Sequence, residues 1–397
     1  MGQKALEDIT VLDLTKVLAG PYCGGILADF GANVIKIEPP VIGDDGRHYG
    51  PYQNGESMYY CNLNRGKRGI TLNLKTDEGK EIFRKLALKA DIVLENYRPG
   101  VMDRFGLGWK ELHQLNPRLI YGAITGFGAD GPYATRPAYD IISQAMGGLM
   151  SITGQQGDPP TRSGNAMGDV LGGMNMAIGL LAAVHARSIT GKGQYVDVSL
   201  VDSVIASLEQ AWQRYFASGK LPTRHGNYYD AIAPYDSFKA KDGYVVIACG
   251  NQKLFEIFCT KLLKKPELIK DERFLDVPLR VKNNKDFKVY VEEWLKDITV
   301  DEAIEMVLSE KIPAGPILNL KQISEDPHFA GNRKMFVEID HPTAGKMKLN
   351  ASPIKMSETK AEIRFAPPTL GQHNAEILQS LGYSESEINS FHEKGVI

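Results

Sequence analysis

The sequence predicts an α/β protein with a mainly parallel sheet in its first half and a smaller α+β unit behind it. Two observations carry this. Short β-branched apolar runs alternate with longer helical stretches over residues 1–216, the rhythm of strands joined by helical crossovers. The chain then turns polar at 217–226, a linker with Ser218-Gly219 and Pro222, and a different pattern follows.

The elements run in this order. Residues 9–14 are the first apolar run, and Pro21 suits the first turn of a helix reaching to about 30. Strand 33–37 follows, then strand 70–74 with helix 76–89, strand 92–95 with helix 100–105, and strand 119–124. A helix over 172–187 precedes strand 195–199 and a helix over 201–216. The smaller unit, 227–326, opens with strands at 235–238 and 244–249 around a turn at Lys241-Asp242-Gly243, and continues in helices rich in Lys and Glu. The last segment, 327–397, holds short strands at 336–339 and 346–350 and a helix at 374–381.

Composition narrows the function. Lys and Arg number 46 against 48 Asp and Glu, a net charge of -2, so no global field draws in nucleic acid and an anionic ligand needs local positive charge. Cys23, Cys61, Cys249 and Cys259 form no CxxC pair, which fits reduced thiols in a cytoplasmic protein. The opening residues lack the apolar stretch of a secretory signal. No apolar run reaches the ~18 residues of a membrane span; 174–186 is broken by Asn175 and reads as a buried helix.

Several chemistries lack their motif. There is no G-x-x-x-x-G-K-[ST] phosphate loop, no G-x-S-x-G and no HExxH, so P-loop, hydrolase and metal readings are disfavoured. Gly126-Phe-Gly-Ala-Asp-Gly131 satisfies G-x-G-x-x-G, but Pro132 and Pro137 prevent the helix that a dinucleotide turn requires. It is better read as a tight glycine turn, although Glu38 stands where a ribose-binding acid would.

The most informative stretch is Gly164-Asn-Ala-Met-Gly-Asp169-Val-Leu-Gly-Gly173, which leads into an apolar helix. Asp169 is placed at a helix N-terminus, where negative charge is favoured, among glycines that would leave the backbone bare to a bulky ligand. The same pattern fits a plain N-cap. Positive charge near the carboxyl ends of the strands tips the reading toward a ligand site. Arg65, Lys67, Arg68, Lys75, Arg98 and Arg104 all flank strands or turns, and Lys75, Asn96, Tyr97 and Arg104 fall on the sheet edge where α/β ligands bind. As a set they suit a ligand carrying phosphates.

Six stretches together resemble the class III (CaiB/BaiF-type) CoA-transferases: Asp13-Leu-Thr-Lys-Val-Leu-Ala-Gly-Pro-Tyr-Cys23, Leu27-Ala-Asp-Phe-Gly-Ala-Asn-Val-Ile-Lys-Ile-Glu38, Asn64-Arg-Gly-Lys-Arg-Gly-Ile-Thr-Leu-Asn-Leu74, Glu95-Asn-Tyr-Arg-Pro-Gly100, Gly126-Phe-Gly-Ala-Asp-Gly-Pro132 and Gly191-Lys-Gly-Gln-Tyr-Val-Asp197. The resemblance implies a Rossmann-like large domain built from both chain ends, a smaller α+β domain, and an interlocked homodimer. It implies Asp169 as nucleophile, with CoA contacts from Lys16, Val17, Leu72, Lys75, Asn96, Tyr97, Arg98, Arg104 and the Arg136–Tyr139 stretch. It further implies coenzyme A as substrate, with no tightly bound cofactor, an acyl-CoA donor and a carboxylic acid acceptor. An Asp with a pKa of about 3.9 is ionised at neutral pH and attacks without a base. Backbone N–H groups of Gly250 and Asn251 are the expected oxyanion donors.

Departures refine this. The racemases of the same family place a His where this chain has Tyr139, and a phenol with a pKa near 10 abstracts protons poorly at neutral pH; 2-methylacyl-CoA racemisation is therefore the alternative, not the main reading. Formyl-CoA:oxalate transferases carry Gln, Trp and a glycine run where this chain has Leu18, Tyr49 and Cys249-Gly250-Asn251-Gln252. A less polar first loop suits an acceptor larger than oxalate, such as a 2-hydroxy acid or another medium-sized carboxylate.

Overall fold

The structure, a computed structural model, describes residues 4–397. Met1–Gln3, on which the reading of a missing signal partly rests, lie outside the described residues. The chain divides into two units: one comprises the stretch up to Leu149, Arg162–Gln213 and Pro327–Ile397, the other Met150–Thr161 and Arg214–Asp326. The short segment Met150–Thr161, which the sequence reading placed in the large domain, belongs to the second unit.

The first unit is built on six parallel strands: β1 Thr10–Asp13, β2 Asn33–Glu38, β3 Arg68–Thr71, β4 Ile92–Glu95, β5 Ile120–Thr125 and β6 Tyr195–Ser199. They lie in the order β3-β2-β1-β4-β5-β6. The order reverses between β1 and β4, the switch point at which doubly wound sheets bind ligands beyond their carboxyl ends. Leu12 of β1 faces Ile35 on one side and Val93 on the other. With Ile70, Phe83 and the C-terminal Ile377 and Leu378, these side chains form the core on one face. Val11, Val34 and Leu94 point the opposite way, against Leu27, Met176 and Leu180. Both faces are thus covered, which is why the strands read as continuous apolar runs rather than alternating ones.

Three differences from the expected elements bear on the site. The strand expected at 70–74 lies at Arg68–Thr71: Leu72 N still donates to Glu38 O of β2, but Asn73 N turns to Val396 O, and Leu72 and Leu74 stay buried in the core with helix α2, Asp77–Lys89. The helix expected over 201–216 is two, Leu200–Ser207 and Glu209–Ser218. The helix expected over 172–187 runs from Met167 to Thr190, so Asp169 lies within its first turn. This helix is long and apolar enough to cross a membrane, but Met176, Ala177, Leu180 and Ala183 are buried in the core.

The second unit carries an antiparallel sheet of β7 Tyr235–Lys239, β8 Tyr244–Ala248 and β9 Ala314–Pro316, in the order β9-β8-β7. Its core packs Phe238, Phe255, Phe258, Phe274 and Phe287. Residues 327–397 return to the first unit and add an antiparallel ribbon, β10 Phe336–His341 with β11 Gly345–Asn350.

Candidate active site

Eight of the expected residues line one cavity of ≈ 370 Å³ in the first unit: Lys16, Val17, Asn96, Tyr97, Arg98, Arg136, Tyr139 and Asp169. Leu18, Asp45 and Tyr49 share it. It opens where β1, β4 and β5 end, beside the switch point. Leu72, Lys75 and Arg104 are not part of its lining: the Leu72 side chain is buried in the core, and Lys75 and Arg104 are exposed. Gly250 and Asn251 belong to the second unit, where the Asn251 side chain accepts a hydrogen bond from Leu254 N and caps the helix Gln252–Ile257. The larger cavity of ≈ 610 Å³, beside Asn332, Lys355 and Met356, contains none of the expected residues.

Asp169 is not the cap of its helix. That work falls to Asp140, at the start of the neighbouring helix Asp140–Met146: its Oδ1 accepts from Gly168 N at 2.8 Å and from Asp169 N at 3.4 Å, and its Oδ2 accepts from Gln144 Nε2 at 2.7 Å. The first-turn donors are satisfied from outside, and among the described residues no side chain or backbone group hydrogen-bonds the Asp169 carboxylate. The glycines have a different purpose from the one expected. A Cβ on Gly168 would stand 2.0 Å from Ser143 Oγ, one on Gly172 2.5 Å from Leu200, and one on Gly173 2.5 Å from Ala19 O. They let three elements close on this helix; they do not bare it to a ligand.

The electrostatics correct the assumption of an ordinary, fully ionised Asp. Burial, reinforced by the negative charge of Asp140, raises the Asp169 pKa to about 7. No cation offsets it. At neutral pH the protonated and ionised forms are therefore close in energy. Tyr59, which nothing in the local sequence marks out, has its phenol pushed up by burial and by the nearby Asp169 charge. It is a functional candidate that sequence reasoning missed.

Another part of the lining is a loop leading from β1 into helix α1, Ala19–Asp29. Asn96 clamps it: its Oδ1 accepts from Lys16 N and its Nδ2 donates to Lys16 O, each at 2.8 Å. The Asn96 carboxamide is therefore committed to the loop. Val17 adopts φ +67, a left-handed conformation that costs a β-branched residue about 1–3 kcal/mol and survives only where the surroundings impose it. Lys16 Nζ lies 3.7 Å from Asp45 Oδ2. Arg136 stacks over the Tyr133 ring at 4.0 Å, Arg98 is exposed, and Tyr139 is 79% exposed. Cationic side chains and exposed aromatic surface thus surround an unpaired carboxyl.

Elsewhere, ligand atoms of Glu56, Cys61 and His341 lie within 4.8 Å of one another. His341 Nδ1, however, accepts from Thr343 N and Ala344 N, which leaves the proton of a neutral ring on Nε2, the nitrogen a metal would need.

Residues 6–374 match the model of CoA-transferase family III. The chain belongs to that family. A succinyl-CoA:mesaconate CoA-transferase of Haloarcula marismortui is 40% identical over 388 residues, 95% of this chain and 96% of its own length. An acetyl-CoA:oxalate CoA-transferase of Acetobacter aceti is 42% identical over 352 residues, 88% of this chain and 89% of its own. A crystal structure of a CAIB/BAIF family protein from Brucella suis superposes with a TM-score of 0.84 at 39% identity, covering 96% of this chain and all of that one. This member of CoA-transferase family III is accordingly an enzyme, and its family exchanges CoA between acids.

Proposed function

We propose that this enzyme moves CoA from an acyl-CoA donor to a carboxylic acid through covalent intermediates on Asp169. The observation that carries the proposal is the unpaired, half-buried Asp169 carboxyl at the wall of a cavity bearing Lys16, Arg98 and Arg136. In the ionised form it attacks the donor thioester carbonyl, CoA leaves as thiolate, and an aspartyl anhydride forms. The thiolate then attacks the aspartyl carbonyl, expelling the donor acid and leaving an aspartyl-CoA thioester. The acceptor carboxylate attacks that thioester and the steps reverse, freeing Asp169 and the new acyl-CoA. A thioester is exchanged for a thioester, so no ATP is needed.

The cavity lining includes no histidine, which supports transfer over α-proton exchange. Leu18, Ile124 and Leu200 supply apolar lining, and with mesaconate in the name of the Haloarcula relative they support a medium-sized carboxylate such as a 2-hydroxy acid, larger than the oxalate named for the Acetobacter relative. All four cysteines are free and buried, in keeping with a cytoplasmic setting. We further propose a homodimer, interlocked as the resemblance implies. Ile141, Ile142 and Met146 on one helix and Met174 and Ile178 on its neighbour are 39–63% exposed, an apolar face that a second copy would cover. A monomeric mass in solution would remove that part.

The test is mass spectrometry of the enzyme incubated with acyl-CoAs and hydroxylamine. Modification at Asp169, lost in Asp169→Ala, is expected; an adduct on any other residue with Asp169 unmodified overturns the mechanism.

A further inference from the structure

The Lys16–Leu18 loop, which lines the cavity together with Asp169, is held by a buried ion pair that never meets the cavity. Asp44 Oδ1 accepts from Val17 N at 2.9 Å and from Gly46 N at 2.8 Å, while its Oδ2 accepts from Lys36 Nζ at 2.7 Å. Lys36 also donates to the backbone oxygen of Thr15, the residue before the loop. Lys36 is 0% exposed and Asp44 1%. Behind them Glu38 Oε2 accepts from Asp44 N at 2.9 Å, and Glu38 is gripped by both Arg47 Nε and Nη2 at 2.7 Å. The left-handed Val17 is thus tied to the end of β2 through one carboxylate.

The chemistry of that contact is restrictive. Donors face Asp44 on both sides: an ammonium on one, two backbone N–H groups on the other. A carboxylate accepts with both oxygens, whereas an amide must turn its NH₂ toward one set of donors. A pair buried this deeply adds little net stability compared with apolar residues of the same size, so its retention beneath this loop calls for another account.

We propose that the Lys36–Asp44 pair is a positioning device that fixes the Lys16–Leu18 loop in the shape that receives the CoA thioester. This rests on the reading that the cavity takes CoA. The pair touches no substrate; it acts through Val17 and Thr15.

The experiment measures CoA affinity by calorimetry, and KM for acyl-CoA beside kcat, in Asp44→Asn, in Lys36→Met with Asp44→Asn, and in Lys36→Met with Asp44→Leu, each confirmed folded at the assay temperature. Asp44→Asn alone should weaken CoA binding by about tenfold or more, the scale of one lost charge-assisted hydrogen bond, and raise KM while the yield of Asp169 adduct at saturation is kept. Adding Lys36→Met frees the amide to turn its oxygen to Val17 N, and affinity should return in part, the bond from Lys36 to Thr15 O being lost in both double variants alike. The leucine double variant lacks both the charges and the acceptor, and should stay weak even if its melting temperature recovers. That last contrast keeps the test open should Asp44→Asn fail to fold, since neither double variant buries an unpaired charge. Equal CoA affinity in the asparagine and leucine double variants overturns the inference, as does a folded Asp44→Asn that binds like wild type. Wild type that does not bind CoA removes the underlying reading, and the inference with it.

Discussion

Two carboxylates serve the cavity, Asp169 in its lining and Asp44 behind the Lys16–Leu18 loop, and their surroundings treat them in opposite ways. Burial pushes the Asp44 carboxyl up, but Lys36 and the N–H groups of Gly46 and Val17 outweigh it and hold it below the usual carboxylate range. Asp169 receives no donor, and burial with the Asp140 charge takes it to about 7. The contrast separates scaffold from reagent. A carboxylate held by three donors is stabilised as an anion and is a poor nucleophile; one stripped of water without compensation is raised in energy. Converting Asp169 into an anhydride or thioester removes its charge and the desolvation penalty together.

The largest expected effect comes from removing the reagent. Asp169→Ala should lower transfer by roughly 10⁴-fold or more, the scale seen when a nucleophile is deleted from a covalent mechanism, while CoA still binds. Steady-state transfer and CoA titration on the same preparation check this. A variant retaining a tenth of the activity would make Asp169 no different in kind from Asp44.

Next is pH. Only ionised Asp169 attacks, so kcat/KM should fall about tenfold for each pH unit below the pKa and level off above about 7. A profile flat from pH 5 to 8 would mean that bound substrate or a partner group compensates the charge after all.

Much of this contrast was legible in the sequence, and the illegible part has a physical reason. The strand–helix rhythm reveals the parallel sheet because covered strands must be apolar throughout, and Gly-Asp before an apolar helix marks Asp169. What hides is anything that depends on distant segments meeting. Asp140 caps a helix through Gly168 N, 28 residues later, and Asp44 reaches Val17 across 27. The local pattern therefore gave Asp169 the capping role that Asp140 fills. It also marked Leu72 and Lys75 beside a strand whose end lies three residues earlier than its apolar run suggests. Lys36 sat unnoticed inside β2, where a charged residue in a buried strand was itself the signal.

Stability offers a smaller, independent view. The folded pKa of Asp169 lies above its ordinary value of 3.8, so the folded state binds this proton more tightly. Its favourable contribution is present at low pH and is lost as pH rises toward about 7. Asp169→Asn should therefore melt a few degrees higher than wild type at pH 8, with the gap closing near pH 4. Calorimetric scans at the two pH values check the sign. For Asp44→Asn the sign reverses, because its carboxylate is the stabilised form.

The smallest effect tests what separates the two carboxylates most directly. Asp140 both caps the Asp169 helix and raises the Asp169 pKa, and the two roles can be parted. Asp140→Asn keeps an oxygen for Gly168 N but turns its NH₂ toward Gln144 Nε2, which loses that acceptor, so the cost to stability should be about 1–3 kcal/mol, that of one unsatisfied buried donor, with the helix start kept. It removes the neighbouring negative charge, the second cause of the raised pKa, but leaves burial, the first. The acid limb of the rate profile should move down by a fraction of a pH unit without reaching the range of an exposed Asp. A limb that drops to about 4 would assign the shift to charge repulsion instead of desolvation. A limb that does not move would leave Asp140 as a cap alone, and the burial of an unpaired carboxyl as the whole difference between Asp169 and Asp44.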